Sequence, residues 1–183
     1  METLKLAITT LHELYRVPHI MITSISLPTP GAEPSLSVLG STFTSTATPR
    51  IFRVKIPAID CFFSGTGDMF AALMLVRLRE AVFEVEGLME KASWVSDDTV
   101  AATDLPLAKA TERVLASMNQ VLTKTKSSRD AEIEKYNTQV GGRNKEHDEK
   151  RLRLLTSKAA EVRLVRNIES LKHPEVKFRA ETV

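Results

Sequence analysis

The stretch SGTGDMFAALMLV, residues 64 to 76, constrains this chain more than any other. Gly65 and Gly67 stand directly before Asp68 and a run of consecutive apolar residues, Met69 to Val76. Glycines let the backbone turn tightly and leave its amides uncovered by side chains. A helix that starts behind such a turn adds its own unpaired N–H groups and the positive end of its dipole. Together these make an anion site that suits a phosphate. A helix apolar on all sides is expected to be buried, which keeps water from its first turn and strengthens the field there.

Asp68 then needs a reason. A fixed negative charge beside a phosphate repels it unless the carboxylate has a task. One task is general base: it would accept the proton of a substrate hydroxyl while the amides hold a transferring phosphoryl group. The other reading is a helix cap, because Asp is a favoured N-cap residue. Local spacing leaves the two readings even, since G-x-G-D is a short motif. It is not a Walker A loop, because no Lys-Ser/Thr pair follows the glycines.

The remaining sequence supplies the frame. Leu4, Leu6, Ala7, Leu11 and Leu14 recur at helical spacing, so residues 2 to 15 read as an amphipathic helix ended at Val17-Pro18. HIMITSISLP reads as a strand over 19 to 27 that stops at Pro28, the one strand with the apolar character of a parallel sheet. TPGAEP is a turn cluster. SLSVLGSTFTS and IFRVKIP alternate as two antiparallel neighbours, and AIDCFFSGTGD is a loop before a helix over 67 to 80. Leu107, Ala110, Val114, Leu115, Met118, Val121 and Leu122 mark another helix. The charged, glycine-broken stretch from Lys126 to Lys150 reads as a solvated or disordered loop. A helix over roughly 149 to 171 and a terminal strand through Val176, Phe178 and Ala180 close the chain. The order of elements is α/β, with too few strands for its helices.

Composition narrows the function classes. A length of 183 residues, 43% hydrophobic and 26% charged, fits one globular domain or part of a larger one. A net charge of +2 gives no field that points to nucleic acid as a partner. The longest apolar stretch is far too short to cross a bilayer, and the N-terminus carries acids where a secretory signal has none. A lone Cys61 excludes an internal disulfide framework and fits a reducing, cytoplasmic compartment. The histidines, His12, His19, His147 and His173, lack the spacing of a metal site.

SGTGDMFAALML resembles the anion-hole and catalytic-base motif of pyridoxal kinases in the ribokinase-like superfamily, where related sugar kinases tend to carry alanine at the place of Thr66. HIMITSISLP is similar to the family's strand ending in Thr-Ser, and EVRLVRNIESLKHPEVKFRAETV, residues 161 to 183, is similar to its C-terminal helix and final strand. The resemblance covers residues 1 to about 80, about 105 to 125 and about 160 to 183. It leaves 81–105 and 126–150 as expected insertions. It implies an α/β fold, part of a ribokinase-like three-layer sandwich, with residues 1–183 as the C-terminal portion of one kinase domain. The family's vitamin-binding residues, lid and acidic metal region are not found here.

The resemblance further implies ATP-dependent phosphorylation of the 5'-hydroxymethyl group of pyridoxal, pyridoxine or pyridoxamine. Asp68 would be the base, and Gly65, Thr66 and Gly67 the anion hole for the γ-phosphate. Thr23 and Ser24 would contact the ATP phosphates or a cation, and Ile59, Asp60 and Cys61 would line the adenine side. Val121 and Leu122, on the later helix, would extend that wall as weaker candidates. Mg²⁺, a monovalent cation and a homodimer are the family's further expectations, with no nucleic acid or membrane as partner. Plainer readings stand beside these: Thr23 and Ser24 as a strand end, Leu122 as core, Cys61 as a small buried residue. A catalytically inactive fragment that serves as a nucleotide-binding or interaction module is the alternative function. A hydroxymethylpyrimidine or sugar kinase of the same superfamily is disfavoured by Thr66 and the tail.

Overall fold

In this computed structural model, residues 1–26, 31, 33–139 and 145–183 are described. The first helix forms as its apolar spacing requires. α1 (Glu2–Tyr15) buries Ile8 and His12 on one face, and Arg16, at φ 53°, ends it in the left-handed conformation with its N–H on the His12 carbonyl. Four strands follow in a sheet ordered β1-β2-β3-β4, each pair antiparallel: β1 (His19–Ile25), β2 (Ser35–Phe43), β3 (Pro49–Pro57) and β4 (Ala180–Thr182). The expected hairpin is β2–β3, closed by Thr44 donating its amide to the Thr48 carbonyl at 2.8 Å. The expectation for β1 needs correction. It is an edge strand antiparallel to β2, because the connection from Ser26 to Pro34 is shorter than the dozen or so residues a parallel crossover needs. Pro28 and most of the TPGAEP turn lie outside the described residues.

The chain divides into two compact units. The first comprises Met1–Ala58, Ala71–Ala116 and Val176–Val183; the second comprises Ile59–Phe70 and Ser117–Glu175.

In the first unit, alternation along the strands builds two different faces. Leu39 and Ile51 pack with Ile8 of α1, bordered by Leu4, Ile20, Ile22, Ile25 and Val183. On the other face Phe52, fully buried, lies over Gly40, where a Cβ would stand 2.1 Å from its Cζ. Residues beyond α2 (Thr66–Phe83), within the expected 81–105 insertion, are fastened to one end of the sheet. Arg50 donates from Nη1 to the carbonyls of Asp97 and Val100 and from Nη2 to those of Phe43 and Ser96. His19 donates from Nε2 to the Ser93 carbonyl at 2.8 Å, and the Asp98 carboxylate takes the amide and hydroxyl of Ser45.

α2 departs from expectation in its burial. Met69, Ala81 and Val82 are buried, but Leu75 is 72% exposed, Val76 54% and Phe83 78%. The run is apolar all round, yet this chain covers one side of it.

α3 (Pro106–Gln139) carries the expected apolar face, with Leu107, Ala110, Val114, Leu115 and Val121 buried. It then continues as helix to Gln139 through the stretch expected as a loop, and α4 (Lys145–Ala159) starts shortly after; residues 140–144 lie outside the described set. In the second unit Arg163 donates to Glu132 at 2.8 Å and Arg151 stands over the Tyr136 ring, so polar contacts hold this tail. The expected helix over 149–171 is broken: α4 ends at Ala159, and α5 (Ile168–Lys172) follows a 3₁₀ turn at Val165–Asn167. The expected terminal strand pairs only over β4. Among the described residues no helix is long and apolar enough to cross a membrane.

Candidate functional site

Gly65 adopts φ +84°, a conformation that favours glycine, and its carbonyl accepts the amide of Met69 at 3.1 Å, the first intrahelical bond of α2. Gly65 is therefore the N-cap, and Thr66, Gly67 and Asp68 form the first turn. No turn or loop bond among the described residues takes up the amides of Gly65, Thr66, Gly67 or Asp68. A Cβ built on Gly65 or Gly67 meets nothing within 4 Å. Gly65 and Gly67 are exposed and Thr66 half-buried at the positive end of an 18-residue helix.

Asp68 sits in that first turn, not at the N-cap position. It is exposed and makes no hydrogen bond or ion pair among the described residues. A carboxylate there is favoured by the helix dipole. No backbone amide ties it down, and it is free to reach a ligand held on the loop.

The loop is fixed from behind. Ser64 donates its amide to the Ala160 carbonyl at 3.3 Å and forms a parallel bridge with Glu161 at the end of α4. Before it, the chain turns tightly, with the Cys61 amide on the Ile59 carbonyl at 2.8 Å. Ile59 and Cys61 are half-buried and Asp60 is exposed. The Cys61 thiol lies 3.4 Å from the Phe62 carbonyl. Leu122, on α3, is half-buried, while Val121 is fully buried. All of these belong to the second unit.

Thr23 and Ser24 belong to the first unit. They lie where the β1–β2 register shifts, between Ile22 opposite Leu39 and Ile25 opposite Ser37. This extra residue is a β-bulge, and Ser24 has φ 59°. Both side chains are exposed, so the Thr-Ser pair is turned out of the ladder rather than continuing it.

The sequence reading missed an open groove of about 400 Å³ in the second unit, lined by Phe62, Arg129, Leu152, Arg153, Thr156 and Ser157. Phe62 is 81% exposed in it. Behind Arg129, Asp130 takes the Lys126 ammonium at 2.7 Å, which raises the lysine's pKa and holds the carboxyl below its usual range. The only signal for this groove was the first phenylalanine of CFFSG. Among the described residues no three His, Cys, Asp or Glu side chains gather as a metal site. A magnesium ion would fit this chain only as a companion of nucleotide phosphates, the usual setting for Mg²⁺.

No protein-family model matches the sequence. Two provisionally named Schizosaccharomyces pombe pyridoxal kinases do: one is 33% identical over 115 residues, 63% of this chain and 32% of its own. The other is 30% identical over 123 residues, 66% of this chain and 33% of its own. The Sus scrofa pyridoxal kinase is 46% identical over 61 residues, 31% of this chain and 19% of its own. The chain therefore spans about a third of the length of the curated relatives it matches. Among solved structures, Plasmodium falciparum PdxK with AMP-PNP and PL superposes with a TM-score of 0.51 at 18% identity, covering 98% of this chain and 43% of that one. Leishmania donovani pyridoxal kinase in complex with ADP gives 0.54 at 15%, covering 93% and 42%. The structural neighbours give the fold: over the length it spans, the chain is similar in sequence to pyridoxal kinases and shares the fold of solved ones.

Proposed function

We propose that this chain carries the phosphoryl-holding and proton-accepting part of an ATP-dependent kinase for B6 vitamers. The observation that carries the reading is the unpartnered Asp68 carboxylate in the first turn of α2, beside open amides at Gly65, Thr66 and Gly67. In the reaction, Asp68 accepts the proton of the vitamer's 5'-hydroxymethyl group. The freed oxygen attacks the γ-phosphorus in line, the bond to the bridging oxygen breaks, and ADP leaves. The amides of Gly65, Thr66 and Gly67 hold the transferring group as its charge spreads over its oxygens.

Thr23 and Ser24 contact ATP phosphates or a monovalent cation, which their exposure at the bulge permits. Ile59, Asp60, Cys61 and Leu122 form the adenine side. Mg²⁺ arrives with the nucleotide and neutralises phosphate charge. Residues 81–105 and 126–150 are insertions in the C-terminal part of one ribokinase-like domain, and the working protein is a cytoplasmic homodimer.

Because the chain spans about a third of its relatives, a second reading stands: an inactive module that binds nucleotide or a partner. Incubation with ATP, Mg²⁺ and pyridoxal separates them. Pyridoxal 5'-phosphate formed by the wild type and lost in Asp68→Asn, with ATP-analogue binding kept, supports the kinase. Binding without product supports the module, and equal rates in both proteins would remove Asp68 from the chemistry.

A further inference from the structure

The groove beside Phe62 gathers hydrogen-bond donors that no other described residue uses. Arg153, Thr156 and Ser157 line it from one face of α4, a turn apart. None of the three side chains makes a hydrogen bond or ion pair among the described residues. Arg129 reaches the same space from α3. Its acceptor is the neighbouring Asp130, 3.2 Å from Nη1, while its Nε is buried with no acceptor at all. Asp130 is shared, because it also takes the Lys126 ammonium at 2.7 Å. One carboxylate thus stands against Lys126, Arg129 and Arg153, and the groove stays cationic. A buried donor on a charged group costs free energy until an acceptor meets it, so the missing partner is an anion.

The donor set selects the kind of anion. Guanidinium forks pair two-to-two with phosphate oxygens, and serine and threonine hydroxyls donate to the oxygens left over. The C-terminal end of α4 opposes an anion with about half a charge, against two full guanidinium charges. One of its carbonyls, that of Ala160, is already spent on the Ser64 amide. The wall of the groove adds a second requirement. Phe62 is 81% exposed, with Leu152 and Ala160 beside it. An open phenyl face next to cations suits a flat ring that carries the negative charge. A volume of about 400 Å³ lies within the range of small-molecule sites. Neither the glycine loop nor Cys61 and Leu122 line this space. Leu122 stands two turns of α3 before Arg129, about 10 Å along the helix axis.

We propose that this groove is a second anion site, separate from the glycine loop, that binds the phosphate monoester of a flat ring. Arg129 and Arg153 take the phosphate, Thr156 and Ser157 donate to its oxygens, and the ring lies on Phe62. A nucleoside monophosphate and a phosphorylated vitamer share this chemistry. Ala160 lines the groove and its carbonyl holds Ser64, so an occupant bears on the anchor of the glycine loop. Only the effect of that contact on phosphoryl transfer rests on the kinase reading above; the binding does not.

The test is calorimetric titration of the full chain, with and without excess AMP-PNP, using AMP, pyridoxine 5'-phosphate and inorganic phosphate as probes. Pyridoxine 5'-phosphate has no aldehyde and so forms no imine with lysines. At least one of the two esters should bind one-to-one in the presence of AMP-PNP, with inorganic phosphate roughly tenfold weaker for want of the ring. Arg153→Ala should weaken the ester by about tenfold or more, the worth of a hydrogen bond to a charged group. Phe62→Ser should bring it down to the level of inorganic phosphate. Arg166→Ala removes the same charge from outside this groove and should leave binding unchanged. All three positions are exposed, so the variants should keep the wild-type circular dichroism spectrum. Tighter binding of AMP assigns a nucleotide as the source, and tighter binding of pyridoxine 5'-phosphate assigns the vitamer; either supports the site. No binding of either ester would overturn the proposal, as would wild-type affinity in Arg153→Ala. Binding that excess AMP-PNP abolishes would overturn it in favour of the nucleotide site. Inorganic phosphate binding as tightly as both esters would overturn the ring contact. A chain that binds the ester at this groove yet forms no pyridoxal 5'-phosphate from ATP and pyridoxal would support the site and sink the kinase function instead.

Discussion

Glu112, buried on α3, accepts the backbone N–H of Ala180 on Oε1 at 2.8 Å and the Arg179 guanidinium on Oε2 at 2.8 Å. One side chain thereby fastens the last strand, which pairs with β3 over only three residues. The two bonds differ in worth. Arg179 is largely solvated, so its ion pair contributes little, whereas the amide bond is made by a buried oxygen. Glu112→Gln, which keeps an acceptor for Ala180, should cost under about 1 kcal/mol in urea unfolding. Glu112→Ala should cost about 2 kcal/mol and speed amide exchange at Ala180 and Thr182.

Gly40 and Phe52 form a matched pair in the same unit. The phenylalanine ring occupies the space where any larger residue's Cβ would stand. Gly40→Ala should therefore destabilise by about 1–3 kcal/mol through overpacking, despite a strand's ordinary preference against glycine. In the double variant with Phe52→Leu the two costs should fall short of their sum by more than about 0.5 kcal/mol, the mark of a shared space. Additive costs would mean that the ring does not set the limit at Gly40.

How much of this was legible follows from what each signal depends on. α1, α2 and the first half of α3 were readable because aliphatic spacing is local. The far half of α3 was not, because its inner stripe is written in Thr125, Arg129, Glu132, Ile133 and Tyr136. These keep helical spacing and are buried or half-buried, but composition alone made them look like solvated loop. The glycine loop and the position of Asp68 before an apolar helix were also readable. The exposure of Leu75 and Val76 was not, since which side of an apolar run stays open is set by tertiary packing rather than by local spacing. The four-carbonyl grip of Arg50 left no local mark, because its partners lie more than forty residues away apart from Phe43.

That grip sets the stability of the segment it holds. A lysine at position 50 has one nitrogen in place of a planar fork and cannot serve Phe43, Ser96, Asp97 and Val100 together. Arg50→Lys should cost about 1–3 kcal/mol and open residues 92–100 to limited proteolysis. Unchanged cleavage there would show that His19 and Asp98 suffice to fasten it.

His19 adds a pH dependence to the same region. Its burial disfavours the charged ring and lowers its pKa from 6.5, with His12 and Arg50 acting the same way and the Ser93 carbonyl opposing them. The unfolded chain therefore takes up a proton near the ordinary value while the folded chain takes it up only at lower pH. Stability from this group is full above that value and is lost as pH falls through the window beneath it. Urea unfolding between pH 7 and 5 should show stability falling with pH, and His19→Gln should flatten the slope.

The anion-hole assignment makes a prediction in which stability and binding move in opposite directions. Gly67 lies in the first turn of α2, its φ is outside the left-handed region, and a methyl group there meets nothing. Gly67→Ala should therefore leave the fold intact or stabilise it by up to about 0.5–1 kcal/mol, the usual gain of alanine over glycine in a helix. The same methyl would stand over the open amides and should weaken AMP-PNP binding by about tenfold or more. Gly65→Ala differs, because φ +84° is strained for any side chain, so it should lose stability and binding together. Calorimetric titration and thermal unfolding of both variants decide the matter. If Gly67→Ala binds the nucleotide as the wild type does, the amides behind Ser64 are not what holds the phosphate.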